Sequence, residues 1–245
     1  MIYVCIPARN EAETVGLVLW KVRKVFEGLG REYQLLVVDD GSTDRTAEAL
    51  APYANVLPLT VVRHEQQRGY ATSVECLLRL ALERTDRPRR DSAVLMHADF
   101  THGPEAIPEL MRRMESGADL VVAEGRVQGE SSRGLRLLRR LAPLLLRSSV
   151  GLPGVRDVLS GFLAVRLSCA RLALKDTEGP LLTTDSWAAN AELIARLGRA
   201  ARRVETVAVT ERHDLRPRAT RLDALTVARQ LWSSRPRVRA AGGRA

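Results

Sequence analysis

The sequence predicts an α/β protein built on a mostly parallel sheet with helices on both faces. Three observations carry this expectation. Apolar runs of strand length alternate with segments of helical periodicity through the first half of the chain. The connections are short, so each strand–helix–strand step returns to a parallel neighbour. Polar and acidic residues gather where the apolar runs end, at Asp39-Asp40 and at His97-Ala98-Asp99, and open α/β sheets bind ligands at the carboxyl ends of their strands. Turns that follow strands also favour aspartate, so a purely structural reading of these acids stays open.

In chain order, the apolar runs place strands at 2–7, 34–39, 59–63, 93–97 and 119–123. Helical periodicity fills the gaps between the strands at 12–30, 43–51 and 70–84, and recurs at 104–115. The second half is less regular. Residues 131–149 project Leu137, Leu138, Leu141, Leu144 and Leu145 onto one helical face and Arg136, Arg139, Arg140 and Arg147 onto the other. Pro143 kinks that helix or ends it early. A strand at 160–166, a helix at 187–197 and a strand at 204–209 follow. Then come a basic loop, 212–221, and a helix reaching about Trp232. The remainder, 233–245, reads as a mobile basic tail, because Arg, Gly, Ala and Pro dominate it. No internal repeat is present. One domain spanning 1–232 is expected.

Composition bounds the function. With 245 residues, 45% of them hydrophobic, the chain buries enough surface to fold without help, which excludes disorder. No apolar run reaches the ~20 residues of a membrane-spanning helix. The start has neither a basic region nor a long apolar one, so a cytoplasmic location is expected. Cys5, Cys76 and Cys169 are scattered and lack CxxC spacing, which reads as packed, reduced thiols. The formal charge of +9 comes from an arginine-rich set with only Lys21, Lys24 and Lys175 as lysines. Guanidinium groups suit phosphate recognition, although a bias spread along the whole chain equally reflects coding composition. Aromatics make up 4% of residues, too few to interleave with the charge as a base-stacking platform, so nucleic acid is not expected as a partner.

Four motifs in one order carry the chemistry: Ile6-Pro7-Ala8-Arg9-Asn10-Glu11; Val38-Asp39-Asp40-Gly41-Ser42-Thr43-Asp44; His97-Ala98-Asp99-Phe100, followed by Pro104-Glu105; and Asp157-Val158-Leu159-Ser160-Gly161-Phe162. Together they resemble the family 2 glycosyltransferases of GT-A fold, and among them the dolichol-phosphate and polyprenyl-phosphate sugar transferases. The resemblance runs from Ile2 to about Leu222. It implies a single Rossmann-like GT-A domain, with a nucleotide-sugar half at 1–125 and an acceptor half at 126–232. It also implies inverting sugar transfer from a nucleotide diphosphate sugar to a polyprenyl phosphate at the inner membrane face. A soluble acceptor and a catalytically silent nucleotide-sugar binder are the alternatives.

The resemblance assigns Pro7, Arg9, Glu11, Val38 and Asp40 to the nucleotide pocket. Asp39 stands equally as a turn former, with Ser42 or Thr43 capping the next helix. Arg68-Gly69-Tyr70-Ala71 resembles the family's basic-Gly-x-Ala stretch at a helix N-terminus, where anions are favoured; a solvated loop arginine is the plain alternative. At His97-Ala98-Asp99 the family carries Asp-x-Asp around a divalent cation. Asp99 is therefore the expected ligand and His97 a weaker one, with His213 as a further candidate. An imidazole in place of a carboxylate favours Mn²⁺ over Mg²⁺; as an alternative, His97 is a pocket or core residue. Arg126 sits one position later than the family's Gly-Ser-Arg, and Thr101 replaces the family's glutamine. The loop holding Arg218 and Arg221 resembles the family's Arg-x-Gly-x-Ser-Lys, and these two are expected to hold a phosphate. Asp157 is the acceptor-side carboxylate, Asp185 a remoter one, and Glu192 a cap or an arginine partner. The leucine-and-arginine helix fits an anionic membrane surface, the domain interior or a second copy of the chain.

Overall fold

The computed structural model describes residues 1–128, 146, 149–175, 179–212 and 224–242. Its centre is a seven-stranded sheet in the order β3-β2-β1-β4-β6-β5-β7. β1 (Ile2–Ala8) pairs in parallel with β2 (Tyr33–Asp39) and β4 (Ser92–Leu95), and β2 pairs with β3 (Leu59–Arg63). β6 (Leu163–Arg166) runs antiparallel between β4 and β5 (Leu120–Gln128), and β7 (Val204–Arg212) closes the edge parallel to β5. The sheet is thus mostly parallel, as the sequence predicts.

The alternation of side chains along each strand sorts the core into two layers. Tyr3, Cys5, Leu36 and Val38 face one way, against α3 (Tyr70–Arg84), α5 (Leu167–Lys175) and α6 (Trp187–Ala200). Ile2, Val4, Ile6, Leu35 and Val37 face the other, against α1 (Val15–Leu29) and α4 (Ile107–Glu115); α2 (Thr46–Ala54) lies on the same side. The stripe Val15, Val18, Leu19, Val22, Phe26 explains α1, since those positions share one helical face. The helix stops where Gly30 takes φ 62° and donates its N–H to Phe26 O.

Two expectations need correction. Residues 167–175 form α5, which periodicity did not single out because the run is short. The segment from Ser233 is not a loose tail: α7 (Ala224–Gly242) continues through Pro236. Leu231, Val238 and Ala241 are buried along it, and it packs on α6. Apolar residues seven and three apart anchor the helix despite the proline, which composition alone could not reveal. Most of the expected helix at 131–149 and the basic loop at 213–221, with His213, Arg218 and Arg221, lie outside the described residues. Among the described residues no helix is long and apolar enough to cross a membrane. The cysteines are free thiols, with Cys5 and Cys169 buried.

Candidate active site

The carboxyl ends of β1 and β2 are tied into one platform. The Asn10 N–H donates to Ser42 Oγ at 2.9 Å, the Thr43 N–H returns a bond to Asn10 Oδ1 at 2.8 Å, and the Glu11 N–H donates to Thr46 Oγ1 at 2.9 Å. Asp39 is fully buried; it accepts the Ser42 N–H at 3.0 Å and lies 3.5 Å from Arg63 Nε. Of its two readings, the structure gives the turn former. Gly41 follows with φ 62°, and a Cβ there would sit 2.5 Å from Gln67 N, so only glycine lets the loop before α3 come this close.

That approach is fixed by Asp40. Its Oδ1 accepts the Arg68 N–H at 2.8 Å and lies 2.8 Å from His64 Nδ1, and its Oδ2 accepts the Gly69 N–H at 2.9 Å. Only 4% of Asp40 is exposed. Expected as a nucleotide contact, it is first of all the anchor that presents the exposed Arg68 and the N-terminus of α3. Pro7 and Glu11 are half-buried beside it and Arg9 is exposed. Glu11 Oε2 accepts the Thr14 hydroxyl at 2.7 Å.

Two members of the expected pocket have buried side chains. Val38 is wholly buried with Cys5, Val74 and Leu77, and Ala98 is 2% exposed in the opposite core layer. Val38 takes its burial from strand alternation, which points its side chain into the α3-side core. Any pocket contact of these two therefore falls to their backbone groups.

The end of β4 carries a stacked row of rings. His97 lies between Tyr70, with ring centres 5.6 Å apart, and His102, at 5.9 Å; His102 in turn meets Phe162 at 5.2 Å. Phe100 turns the chain with φ 60°. Asp99, half-buried, accepts both the N–H and the hydroxyl of Thr101, the first at 3.0 Å. The Tyr70 hydroxyl donates to Asn190 at 2.8 Å. Burial, and then the charge of Asp99, push the Tyr70 phenol up from its usual range, partly offset by its bond to Asn190.

Gly161 closes this row. A Cβ on Gly161 would lie 2.8 Å from Cδ2 and 2.9 Å from Cε1 of His97, and nearer still to Nε2. Gly161 therefore packs closely against the imidazole edge, and the half-buried His97 sits within the ring row at the end of β4. Asp157 bridges the same segment to β5: its Oδ2 accepts the Gly125 N–H and its Oδ1 the Leu159 N–H, both at 3.2 Å. That places the backbone of Arg126 at the site's edge.

Sequence reasoning missed Asn190, which donates to Leu159 O at 3.0 Å while holding Tyr70. Its only signal was an amide on an apolar helical face. Glu192, wholly buried, accepts the N–H and hydroxyl groups of Thr183 and Thr184 at 2.8–3.0 Å and pairs with Arg196 at 3.0 Å. It anchors the loop that brings Asp185 against Gly69, with the Ala71 N–H 3.5 Å from Asp185 Oδ1.

All four motifs thus meet at one edge of the sheet. Asp40 and Asp99 follow strands separated only by β1, about 10 Å apart at ordinary strand spacing. Among the described residues no three His, Cys, Asp or Glu side chains converge as a metal cage. Asp99, half-buried beyond β4, is a carboxylate of the kind that a hard cation such as Mg²⁺ or Mn²⁺ takes from a protein, one or two at a time, beside oxygens of water and phosphate.

A family model described as Glycosyl transferase family 2 matches residues 3–171. The chain belongs to this family. Among curated relatives it is similar to a dolichol-phosphate mannosyltransferase of Pyrococcus furiosus, at 29% identity over 66% of this chain and 45% of the relative. It is also similar to an undecaprenyl-phosphate 4-deoxy-4-formamido-L-arabinose transferase of Pseudomonas aeruginosa, at 31% identity over 62% of this chain and 43% of the relative. The matched region is under half the length of either relative. Among solved structures, glucosyl-3-phosphoglycerate synthase from Mycobacterium tuberculosis superposes over 99% of this chain and 79% of that one, with a TM-score of 0.64 at 24% identity. The fold shared by this family 2 chain is therefore GT-A.

Proposed function

We propose that this chain is an inverting glycosyltransferase that moves a sugar from a nucleotide diphosphate sugar to a polyprenyl phosphate. One observation carries the reading: the Asp40-held Arg68 loop, the His97–Asp99 turn and the Asp157–Phe162 segment face one another at the carboxyl edge of the sheet. Arg68, at the head of α3, offers a charge and backbone amides to the donor diphosphate. Asp99 would hold a divalent cation, which when bound would supply positive charge to the diphosphate of the donor. Mn²⁺ accompanies UDP-glucose in the M. tuberculosis structure, and the same ion is proposed here ahead of Mg²⁺.

The acceptor's phosphate oxygen attacks the anomeric carbon from the face opposite the leaving group. The C–O bond to the diphosphate breaks as the new one forms, and the anomeric configuration inverts. A phosphate acceptor is already anionic at neutral pH, so no general base is required, and Asp157 positions the acceptor side. The relatives' polyprenyl-phosphate names support this acceptor and, with it, peripheral contact at the inner membrane face. A soluble phosphorylated acceptor is the second reading, favoured by the phosphoglyceric acid bound in the structural neighbour. Incubating the purified chain and Mn²⁺ with GDP-, UDP- and dTDP-sugars, and either undecaprenyl phosphate or 3-phosphoglycerate, tests both. Product on the lipid with inverted configuration by NMR is expected. Product only on the soluble acid selects the second reading, and donor binding without turnover on any acceptor refutes both.

A further inference from the structure

At the opposite end of the sheet, remote from the site above, lies a cleft of about 540 Å³. Its walls come from five segments: the turn before β4, the turn before β5, the end of β6, helix α5, and the turn before β7. Arg89, Arg166, Arg171, Lys175 and Arg202 line it, against the single acid Asp119. That acid is already neutralised. Arg166 Nε lies 3.3 Å from Asp119 Oδ1, and the Arg202 N–H donates to Oδ2 at 3.0 Å. Arg166 is itself consumed as a strut, donating to Arg89 O, Met114 O and Ala118 O at 3.1, 2.7 and 2.9 Å.

Four cations therefore remain around one hollow: Arg89, Arg171, Lys175 and Arg202. None makes an ion pair with a described residue. Several arginines elsewhere are matched by acids: Arg79 by Glu75, Arg112 by Glu109, Arg196 by Glu192 and Arg203 by Glu205, at 2.6–3.0 Å. Like charges brought around a concavity repel one another and focus a positive potential into it. The geometry is ordered as well. Ser168, Arg171, Leu172 and Lys175 fall at i, i+3, i+4 and i+7 of α5, so they form one face of the helix along the cleft. That face is about 10 Å long at the helical rise. Arg89 and Arg202 stand on the banks.

From this we infer a second anion site, for a small molecule carrying two or more linked phosphate groups. A single phosphate reaches only part of a 10 Å column, whereas an oligophosphate engages both banks and the helix at once. The inference does not depend on the proposed transfer reaction, and its test uses no sugar donor.

The probe is inorganic tripolyphosphate, titrated calorimetrically into the full chain without divalent cation, with orthophosphate alongside. Saturable 1:1 binding of tripolyphosphate is expected, with orthophosphate at least about tenfold weaker. The pair R171E/K175E changes one half-buried and one exposed helix position and should weaken binding by at least about tenfold, since each reversal turns an attraction to the anion into a repulsion. The charge-matched pair R235E/R239E on α7 should leave it within about twofold. Arg202→Ser, from a different wall, should weaken it independently of any effect on α5. Equal losses in the two pairs would reduce the effect to net charge and overturn the proposal. Loss on Arg68→Ala would do the same by moving the ligand to the donor edge, and so would absence of saturable binding to the wild type.

Discussion

Gly161→Ala is the sharpest perturbation of the ring row. Gly161 does not adopt a positive φ, so alanine fits its backbone and on entropy alone would stabilise the fold by about 0.4–1 kcal/mol. Against this stands the new methyl, which meets the His97 ring at 2.8 and 2.9 Å, well inside ordinary carbon contact. The ring must retreat by roughly 1 Å, and Tyr70 and His102 stand on either side of it. Overpacking of this kind costs about 1–3 kcal/mol, leaving a net loss of about 1–2 kcal/mol, or a few degrees in Tm at ~2–4 °C per kcal/mol for a chain of this size. The decisive assay is a double-mutant cycle by urea denaturation. His97→Ala removes the group that the methyl strikes, so Gly161→Ala should be stabilising by about 0.4–1 kcal/mol in that background, giving a coupling energy of about 1–3 kcal/mol, the whole steric cost. Equal costs in both backgrounds would show that Gly161 does not press on His97, and the account of the ring row would fall with it.

Asp40→Ala strips acceptors from two amides and one imidazole. Arg68 and Gly69 recover water but buried His64 does not, so a loss of about 2–4 kcal/mol in urea midpoint analysis is expected; a loss below 0.5 kcal/mol would contradict the anchoring role. Asp99→Asn should lower cation-dependent turnover by about 10²–10³-fold while leaving binding of the metal-free nucleoside diphosphate intact; loss of both would make Asp99 structural. Burial pushes the thiols of Cys5 and Cys169 up to about 12, against ~8.5 in an unfolded chain. Above that lower value the unfolded chain releases protons that the native state keeps, so stability is intact below about pH 8.5 and declines as pH rises toward 12. Urea midpoints from pH 8 to 10 should fall, Cys5→Ala should flatten the fall, and a native thiol-labelling reaction at pH 8 should modify Cys76 alone.

The nucleotide half was legible because its strands are long, apolar and separated by clean helical periods. The two core layers are the alternation of Tyr3, Val4, Cys5 and Ile6 carried into space. What stayed hidden was direction and continuity. Nothing in Leu163–Arg166 marks it as the one strand that runs against its neighbours on both sides. The spacing of Leu231, Val238 and Ala241 was outweighed by the arginines and Pro236 around them. Within the site, residue types were readable but partners were not. Val38 came to the pocket through the family resemblance, and alternation along β2 turns its side chain into the core.

The acids of the site divide by what reaches them. Asp39, Asp40 and Glu192 each accept bonds from backbone N–H groups and are at most 4% exposed. Those donors offset the burial of Asp40 and Glu192, while Asp39 Oδ2 has no hydrogen bond among the described residues and leans on Arg63 at 3.5 Å; the same bonds fix the loops at which they point. Beside them Arg68 and Asp185 are exposed and Asp99 is half-buried. An acidic motif at a strand end therefore supplies this family 2 chain with a rigid frame first, and the proposed recognition of an anionic donor rests on what that frame presents: Arg68, the amides at the head of α3, and Asp99 as the proposed cation ligand.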